Sequence, residues 1–148
     1  MLAHNRVAVL HGVNLDQLGR RDPEIYGGIT LDRLEQRIAE HARELGFEAQ
    51  FFQTNAEGEY VERLHRLEDI ADALILNPGA WTHYSYAIRD ALEIAALPAV
   101  EVHLSDVQNR EPFRRISVIS DLCLATVSGQ GPDGYRVALE RLLQELAA

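Results

Sequence analysis

The 148-residue sequence predicts an α/β fold, a flavodoxin-like, doubly wound sheet of five parallel strands with helices on both faces. Short apolar runs rich in β-branched residues alternate with longer runs whose apolar residues recur at helical spacing. The run 73–76 is apolar without interruption, which is typical of a parallel strand covered on both faces. The length favours one domain, 1–148, which buries about two thirds of its unfolded surface and can build a core unaided.

The individual elements follow from apolar spacing and from the residues at their ends. Strands are predicted at 6–12, 48–54, 73–76, 99–104 and 122–128, and helices at 31–45, 56–67, 84–96 and 135–146. The first helix shows the reasoning, because Thr30 suits an N-cap, apolar residues then recur at helical spacing, and Gly46 ends the run. Residues 116–119 are ambiguous, and residues 1–5 are expected to form a terminal tail.

The connection between the first strand and the first helix, residues 13–29, is unusually long. Such connections commonly take only a handful of residues, and long loops in compact domains are often functional. The stretch from Gly19 to Gly28 carries two adjacent arginines and a tyrosine. We interpret it as an active-site lid whose chemistry resides in Arg21 and Tyr26, because a neighbouring guanidinium favours the phenolate form of a tyrosine.

The composition limits the possible classes of function. The sequence has 23 acidic and 14 basic residues and a formal charge of −9, which argues against nucleic-acid or membrane-surface binding. A small anionic substrate is still compatible with a local arginine cluster. No spaced metal-ligand set or glycine-rich phosphate motif is present, and Cys123 is expected to be buried and unreactive. Without an apolar membrane-spanning run or a signal peptide, the protein is predicted to be soluble and cytoplasmic.

Polar side chains cluster where the predicted strands end. The carboxyl ends of parallel strands meet at one edge of the sheet, so these residues are expected to surround one ligand site. Glu101 and His103 alternate along the fourth strand and therefore share a face, which suits a carboxylate that orients an imidazole for acid-base catalysis. An ion pair at the sheet edge explains these two residues equally well. The other members of the edge are Asn14, Arg20, Arg21, Tyr26, Asn55, Glu57, Asn77, Thr82, His83, Ser105, Arg110 and Arg114.

Several of these residues also have ordinary structural explanations. A loop tyrosine is usually a packing anchor, and Asn77 stands where a turn into Pro-Gly is expected anyway. Arg110 and Arg114 are compatible with a solvated face, and His83 alone is typical of a helix cap or a surface position. The residues by themselves therefore predict acid-base chemistry on a small anion without identifying the substrate.

Seven motifs occur in an order and at a spacing that are specific when taken together. They are Gly12-Val13-Asn14-Leu15, Arg21-Asp22-Pro23-Glu24-Ile25-Tyr26-Gly27, Gln53-Thr54-Asn55-Ala56-Glu57-Gly58, Asn77-Pro78-Gly79-Ala80-Trp81-Thr82-His83, Arg89-Asp90-Ala91-Leu92, Glu101-Val102-His103-Leu104-Ser105 and Arg110-Glu111-Pro112-Phe113-Arg114. Over nearly the whole chain they resemble the type II 3-dehydroquinate dehydratases. The resemblance implies dehydration of 3-dehydroquinate to 3-dehydroshikimate through an enolate, without cofactor or metal, by a dodecamer of four trimers.

The resemblance also implies roles for individual residues. Tyr26 would remove the proton beside the ketone with the help of Arg21, and Asn14 would hold a water against the developing enolate. His103 would protonate the leaving hydroxyl, and Glu101 would orient His103. Substrate binding is implied for Asn77, His83, Asp90, Leu104, Ser105 and Arg114, with Asp90 reaching the site of a neighbouring subunit and Arg110 as a further support for the tyrosine.

The sequence departs from the usual pattern of that family around the site. The family's Asn-Gly-Pro-Asn-Leu-Asn is His11-Gly12-Val13-Asn14-Leu15-Asp16 here, Ser-Asn-Val-His-Ala-Arg is Ser105-Asp106-Val107-Gln108-Asn109-Arg110, and His-Ser-Tyr-Leu-Ser-Pro is replaced by residues 116–121. Asp16 is expected to pair with Arg20. The departures motivate an alternative, an oligomeric binding protein that retains the pocket without catalysis. A signalling receiver or a flavin carrier is a weaker alternative, because a receiver would be expected to carry an aspartate where Asn77 stands.

Overall fold

The computed structural model describes residues 4–147 and contains one five-stranded parallel sheet in the order β2-β1-β3-β4-β5. The strands are β1 (Arg6–His11), β2 (Glu48–Gln53), β3 (Ala73–Asn77), β4 (Ala99–His103) and β5 (Ala125–Ser128). The predicted fold class is confirmed. Of the predicted tail at residues 1–5, residues 1–3 lie outside the described part of the chain.

Helices cover both faces of the sheet. They are α1 (Pro23–Tyr26), α2 (Leu31–Leu45), α3 (Glu57–Ile70), α4 (Tyr86–Ala95) and α5 (Gly134–Ala147). Helices α2 and α5 pack on one face of the sheet, and α3 and α4 pack on the other. Residues alternate between the two cores along β1, since Val7 and Val9 belong to the first core and Ala8 and Leu10 to the second.

The ends of α2 and α4 are set by their capping residues. The Thr30 hydroxyl accepts a hydrogen bond from the Arg33 N–H, and Gly46 ends α2 at a φ of 87°, as predicted. Helix α4 begins at Tyr86, two residues later than predicted, because the Ser85 hydroxyl accepts a hydrogen bond from the Ile88 N–H at 3.1 Å and acts as the N-cap.

The long connection between β1 and α2 is folded, which the sequence interpretation did not foresee. Residues Leu15–Arg20 form a 3-10 helix with Leu15 and Leu18 buried, and α1 follows after Asp22, whose side chain accepts a hydrogen bond from the Glu24 N–H. The predicted lid, Gly19–Gly28, therefore contains the end of the 3-10 helix and all of α1, which has no buried residue. Strand β5 begins at Ala125, three residues after its predicted start, because residues Ser120–Leu122 form a 3-10 turn.

Two features bear on the expectations about reactivity and membranes. Cys123 is partly buried, and burial, with the charges of Glu101 and Asp121, raises the pKa of its thiol to about 12. This supports the expected low reactivity of the thiol. Among residues 4–147, no helix has both the length and the apolar character needed to cross a bilayer.

The backbone at the end of β1 lies against the turn that follows β3. The Gly12 N–H donates a hydrogen bond to the Asn77 carbonyl at 2.8 Å. A Cβ added at Gly12 would lie 2.2 Å from the Pro78 carbonyl oxygen, which is closer than any side chain permits. Glycine at position 12 therefore allows the two strand ends to meet beneath the functional edge.

Replacing Gly12 by alanine should destabilise the fold by about 2 kcal/mol or more, because the added methyl group forces the two backbones apart. Gly58→Ala is the matched control, since a Cβ there meets nothing within 4 Å and glycine disfavours a helix. We expect that control to leave stability unchanged or to raise it by roughly 0.5–1 kcal/mol. Urea unfolding measures the free energy of unfolding of both variants. Equal effects would show that the close approach of the backbones at Gly12 does not determine stability.

Candidate active site

A cavity opens at the carboxyl edge of the sheet, between the β1–α2 connection and the segment that follows β4. All of the residues to which the family resemblance assigns a role line this cavity except Glu101 and Asp90. Four other members of the strand-end set, which were expected to surround the ligand site, do not line it: Arg20, Asn55, Glu57 and Thr82. Glu101 lies behind His103 on β4, and Asp90 is exposed on α4, away from the cavity. The structure thus brings most of the predicted residues together at the edge where the parallel strands end.

The phenolic oxygen of Tyr26 accepts hydrogen bonds from two arginines that come from distant parts of the chain. Arg21 donates from Nη2, and Arg110 donates from Nη1 at 2.8 Å. The guanidinium carbons lie 4.2 Å and 5.3 Å from the centroid of the tyrosine ring. Two cationic donors therefore meet on one phenolic oxygen, and hydrogen bonds from charged donors are stronger than those between neutral groups.

His103 and Glu101 form a buried pair on β4. Nε2 of His103 lies 2.5 Å from Oε2 of Glu101, and the Glu101 side chain is fully buried while His103 is 8% exposed. The two residues share one face, as their alternation along the strand predicted. Because Nε2 is occupied by the carboxylate, Nδ1 is the ring nitrogen left for other partners.

The Glu101 carboxylate stays charged although it is buried. Burial alone would raise the pKa of Glu101, but the hydrogen bond and charge of His103, together with hydrogen bonds from Thr82 and Ser117, hold its pKa below the ordinary value. The Thr82 hydroxyl donates to Oε2 at 2.5 Å, and the Ser117 hydroxyl lies 2.8 Å from Oε1. The charged Glu101 carboxylate therefore lies directly against the imidazole of His103 and fixes its orientation.

Three further side chains supply polar groups to the cavity. Asn77 is nearly buried, and its Oδ1 accepts a hydrogen bond from the Gly79 N–H at 3.0 Å. The Nδ1–H of His83 is directed to the Ile116 carbonyl at 2.7 Å, and partial burial lowers the pKa of His83. A neutral His83 with its proton on Nδ1 leaves Nε2 as an acceptor, which suits a substrate hydroxyl.

The rim of the cavity beyond β4 is positively charged. Ser105 is nearly buried, and its hydroxyl oxygen lies 3.3 Å from Nη1 of Arg110. Arg114 lines the same cavity and forms an ion pair with Glu111 at 3.0 Å. With Arg21 on the opposite wall, three arginines face a small volume of a chain whose formal charge is −9. The local field therefore favours an anion, as the sequence suggested.

The residues around Asn14 correct one expectation. Asn14 has a φ of 68°, and its backbone N–H donates to Oδ1 of Asn55 at 2.8 Å. The predicted pairing of Asp16 with Arg20 is wrong, because Asp16 accepts a hydrogen bond from Asn55 and Arg20 donates to Gln17. Arg20 is exposed and lies outside the cavity lining, in contrast to Arg21.

Three groups in the site carry more weight in the structure than in the sequence interpretation. Arg110 was a secondary candidate and contacts Tyr26 directly. Thr82 is only one of many strand-end residues in the sequence and Ser117 lies in the ambiguous segment 116–119, yet both bind Glu101. One signal in the sequence points to such residues, because an acid on a central strand needs hydrogen-bond donors around its carboxylate. Within residues 4–147, no group of three or more His, Cys, Asp or Glu side chains is arranged to hold a metal ion.

Comparison with known proteins identifies relatives over most of the chain. The family model described as dehydroquinase class II matches residues 5–143. A 3-dehydroquinate dehydratase of Thermotoga neapolitana is 51% identical over 135 residues, covering 91% of this chain and 92% of that protein. A 3-dehydroquinate dehydratase of Pelotomaculum thermopropionicum is 49% identical over 134 residues, covering 90% and 93%. The crystal structure of a type II dehydroquinase from Butyrivibrio crossotus superposes with a TM-score of 0.90 at 38% identity, covering 96% and 99%. The resemblance seen in the sequence is confirmed.

The depressed pKa of Glu101 makes the stability of the fold depend on pH in a defined direction. Its charge contributes stability above the ordinary value of 4.5, and this contribution is lost as the pH falls through the lower value of the folded state. When the pH is lowered from about 6 to about 3, the free energy of unfolding should therefore fall less for Glu101→Gln than for the wild type. Urea titrations at both pH values measure this, with exposed Glu68→Gln as the control that should follow the wild type. Identical pH dependence in all three proteins would contradict the assignment.

Proposed function

The chain belongs to the class II dehydroquinase family, and from that premise we propose that it dehydrates 3-dehydroquinate to 3-dehydroshikimate, a step of the shikimate pathway, in the cavity at the carboxyl edge of its sheet. One observation carries the mechanism. A tyrosine oxygen held by two guanidinium groups and a histidine held by a buried carboxylate line the same cavity. The first arrangement suits a base and the second suits an acid.

In the proposed first step, the Tyr26 phenolate removes the proton from the carbon beside the ketone. The C–H electrons move toward the ketone oxygen, so an enolate forms and Tyr26 becomes neutral. Arg21 and Arg110 hold the phenolic oxygen in both states. Asn14, on the lid side of the cavity, is assigned to a water that hydrogen-bonds to the developing enolate oxygen.

In the proposed second step, the enolate electrons return and break the C–O bond to the leaving hydroxyl. The His103 imidazolium gives its proton to that oxygen, and the hydroxyl departs as water. Glu101 keeps the imidazole oriented and its charge compensated. The cycle closes when Tyr26 releases its proton and His103 regains one, so the net reaction removes one water from the substrate and leaves both side chains as they began.

Substrate binding is assigned to the polar groups that surround the reacting centre. We assign the substrate carboxylate to Ser105 and the backbone beside Leu104, where Arg110 adds positive charge. Asn77, His83 and Arg114 are assigned to the ketone and hydroxyl oxygens of the ring. This distribution places an anion at the arginine-rich rim and its hydroxyl groups near neutral donors and acceptors.

The assembly follows from the family resemblance. We propose that the chain, 1–148, acts as a single domain within a cytoplasmic dodecamer of four trimers. Asp90 is exposed on α4 and lies outside the cavity of its own subunit. In the proposed trimer Asp90 reaches the site of a neighbouring subunit, which accounts for its place among the binding residues.

Tyr26→Phe should lower kcat by roughly 100- to 10,000-fold while the protein stays folded, because it removes the proposed base, the oxygen on which Arg21 and Arg110 meet, and keeps the ring. The assay follows ultraviolet absorbance of the conjugated enone product after the protein meets 3-dehydroquinate. Circular dichroism checks the fold. Full turnover in this variant would overturn the role of Tyr26. If the wild-type protein binds 3-dehydroquinate by calorimetry without turning it over, the alternative of a non-catalytic binding protein is favoured.

Arg21→Ala should lower kcat by about 10-fold or more, because it removes one of two charged donors to the base. Arg20→Ala is the matched control, since Arg20 is the adjacent arginine, is exposed, and its side chain hydrogen-bonds only to Gln17 among the described residues. Its kcat should stay within about 2-fold of the wild type, as for exposed side chains in general. Equal losses in both variants would show that the assignment of these arginines is wrong.

A further inference from the structure

The buried Glu101 carboxylate is surrounded by hydroxyl groups from three separate parts of the chain. Thr82 donates to Oε2 at 2.5 Å, Ser117 lies 2.8 Å from Oε1 and 3.0 Å from Oε2, and Thr126 lies 3.4 Å from Oε1. Thr126 stands opposite Glu101 in the register between β4 and β5. A carboxylate only accepts hydrogen bonds, so all of these hydroxyls act as donors to it.

Ser117 differs from Thr82 and Thr126 because its hydroxyl oxygen also accepts hydrogen bonds from the backbone. Its Oγ accepts hydrogen bonds from the backbone N–H groups of Ile119 at 3.3 Å and Ser120 at 3.2 Å. Donors to a hydroxyl oxygen polarise its own O–H and strengthen the bond that it donates. Ser117 therefore conveys the partial positive charge of two backbone amides to both oxygens of Glu101.

The segment that carries Ser117 is fixed on both sides. The Val118 N–H donates to the Thr82 carbonyl at 2.8 Å, and Arg89 donates to the Val118 carbonyl at 2.8 Å. Arg89 also binds Asp121 through Nη2 at 2.9 Å, and Ile119 is fully buried. The position of the Ser117 hydroxyl is thus set by packing and by hydrogen bonds that do not involve Glu101.

We propose that Ser117 is a positioning residue of the His103–Glu101 pair, whose hydroxyl sets how readily that pair gives a proton to the substrate. The inference rests on the proposed function, in which His103 is the acid. When His103 releases its proton, Glu101 loses a cationic neighbour and would become an uncompensated buried charge. Ser117 continues to donate in that state, so it lowers the free energy of the deprotonated pair.

When His103 is neutral, the charge of Glu101 is stabilised by neutral hydrogen-bond donors. Besides His103, the titratable groups that sense its charge are His83, Tyr60 and Cys123. Burial raises the pKa of Tyr60 and of Cys123, so both are neutral, and burial lowers the pKa of His83. The structure shows no arginine or lysine bonded to Glu101 among residues 4–147, so hydroxyl donors carry the stabilisation when His103 is neutral.

The test compares Ser117→Ala with Ser117→Thr, which keeps the hydroxyl, and with Ser120→Ala, which makes the same change three residues away. The Ser120 side chain forms no hydrogen bond within the described chain, although it borders the cavity behind Glu101. For Ser117→Ala we expect kcat to fall about 10-fold with KM within about 2-fold. The alkaline limb of its kcat profile should move to higher pH, because a less stabilised anion holds the pair's proton more tightly.

Ser117→Thr should restore both the rate and the position of the alkaline limb, and Ser120→Ala should match the wild type. A Ser117→Ala profile that coincides with that of Ser120→Ala overturns the inference. If Ser117→Ala does not fold, Ser117→Cys is measured instead, since it keeps the size of the side chain and replaces the hydroxyl by a weak donor, and the same comparison with Ser120→Ala applies. A wild-type protein that fails to turn over 3-dehydroquinate overturns the proposed function together with this inference, whereas an active wild type with an unshifted variant overturns the inference alone.

Discussion

A charged carboxylate buried within the sheet is the constraint on which much of the functional edge depends. Glu101 lies on β4, between β3 and β5, where an unpaired anion would cost several kcal/mol. The chain compensates by placing an imidazole two residues later and hydroxyls on the segments after β3 and β4. Satisfying the buried charge also produces a histidine held in one orientation with a permanent negative neighbour, which is what proton donation needs.

The opposite wall of the cavity carries Tyr26 and the arginines that bind it. In a chain with an excess of acidic residues, the phenolic oxygen of Tyr26 lies between guanidinium groups from positions 21 and 110. One comes from the same short segment and one from across the cavity. The cluster of Tyr26 and its two arginines is therefore complete only when the connection after β1 and the segment after β4 lie together, so it is a property of tertiary structure.

The regular elements could be predicted because their signals are local and repeated. The apolar runs of β1 and β3 and the capped, amphipathic α2 lie close to where their patterns indicated. The alternation of Glu101 and His103 likewise predicted their shared face. The contacts of Ser117, and the pairing of Asp16 with Asn55 instead of Arg20, depend on how irregular segments meet in space, and no period in the sequence encodes that. The carboxylate explains why serine suits position 117, but only the fold reveals that the two are neighbours.

Helix α1 has no buried residue, and neither do the 3-10 turns Val107–Asn109 and Pro112–Arg115, whereas every residue of β4 is buried. Segments with so little buried surface open at a lower free energy than the sheet that they decorate. On heating, the two sides of the cavity would separate before the core melts, so the working temperature would lie below the melting temperature. Substitutions that stabilise these segments would therefore raise the temperature at which activity is lost. Substitutions that improve packing in the core would raise the melting temperature of the sheet without protecting the cavity.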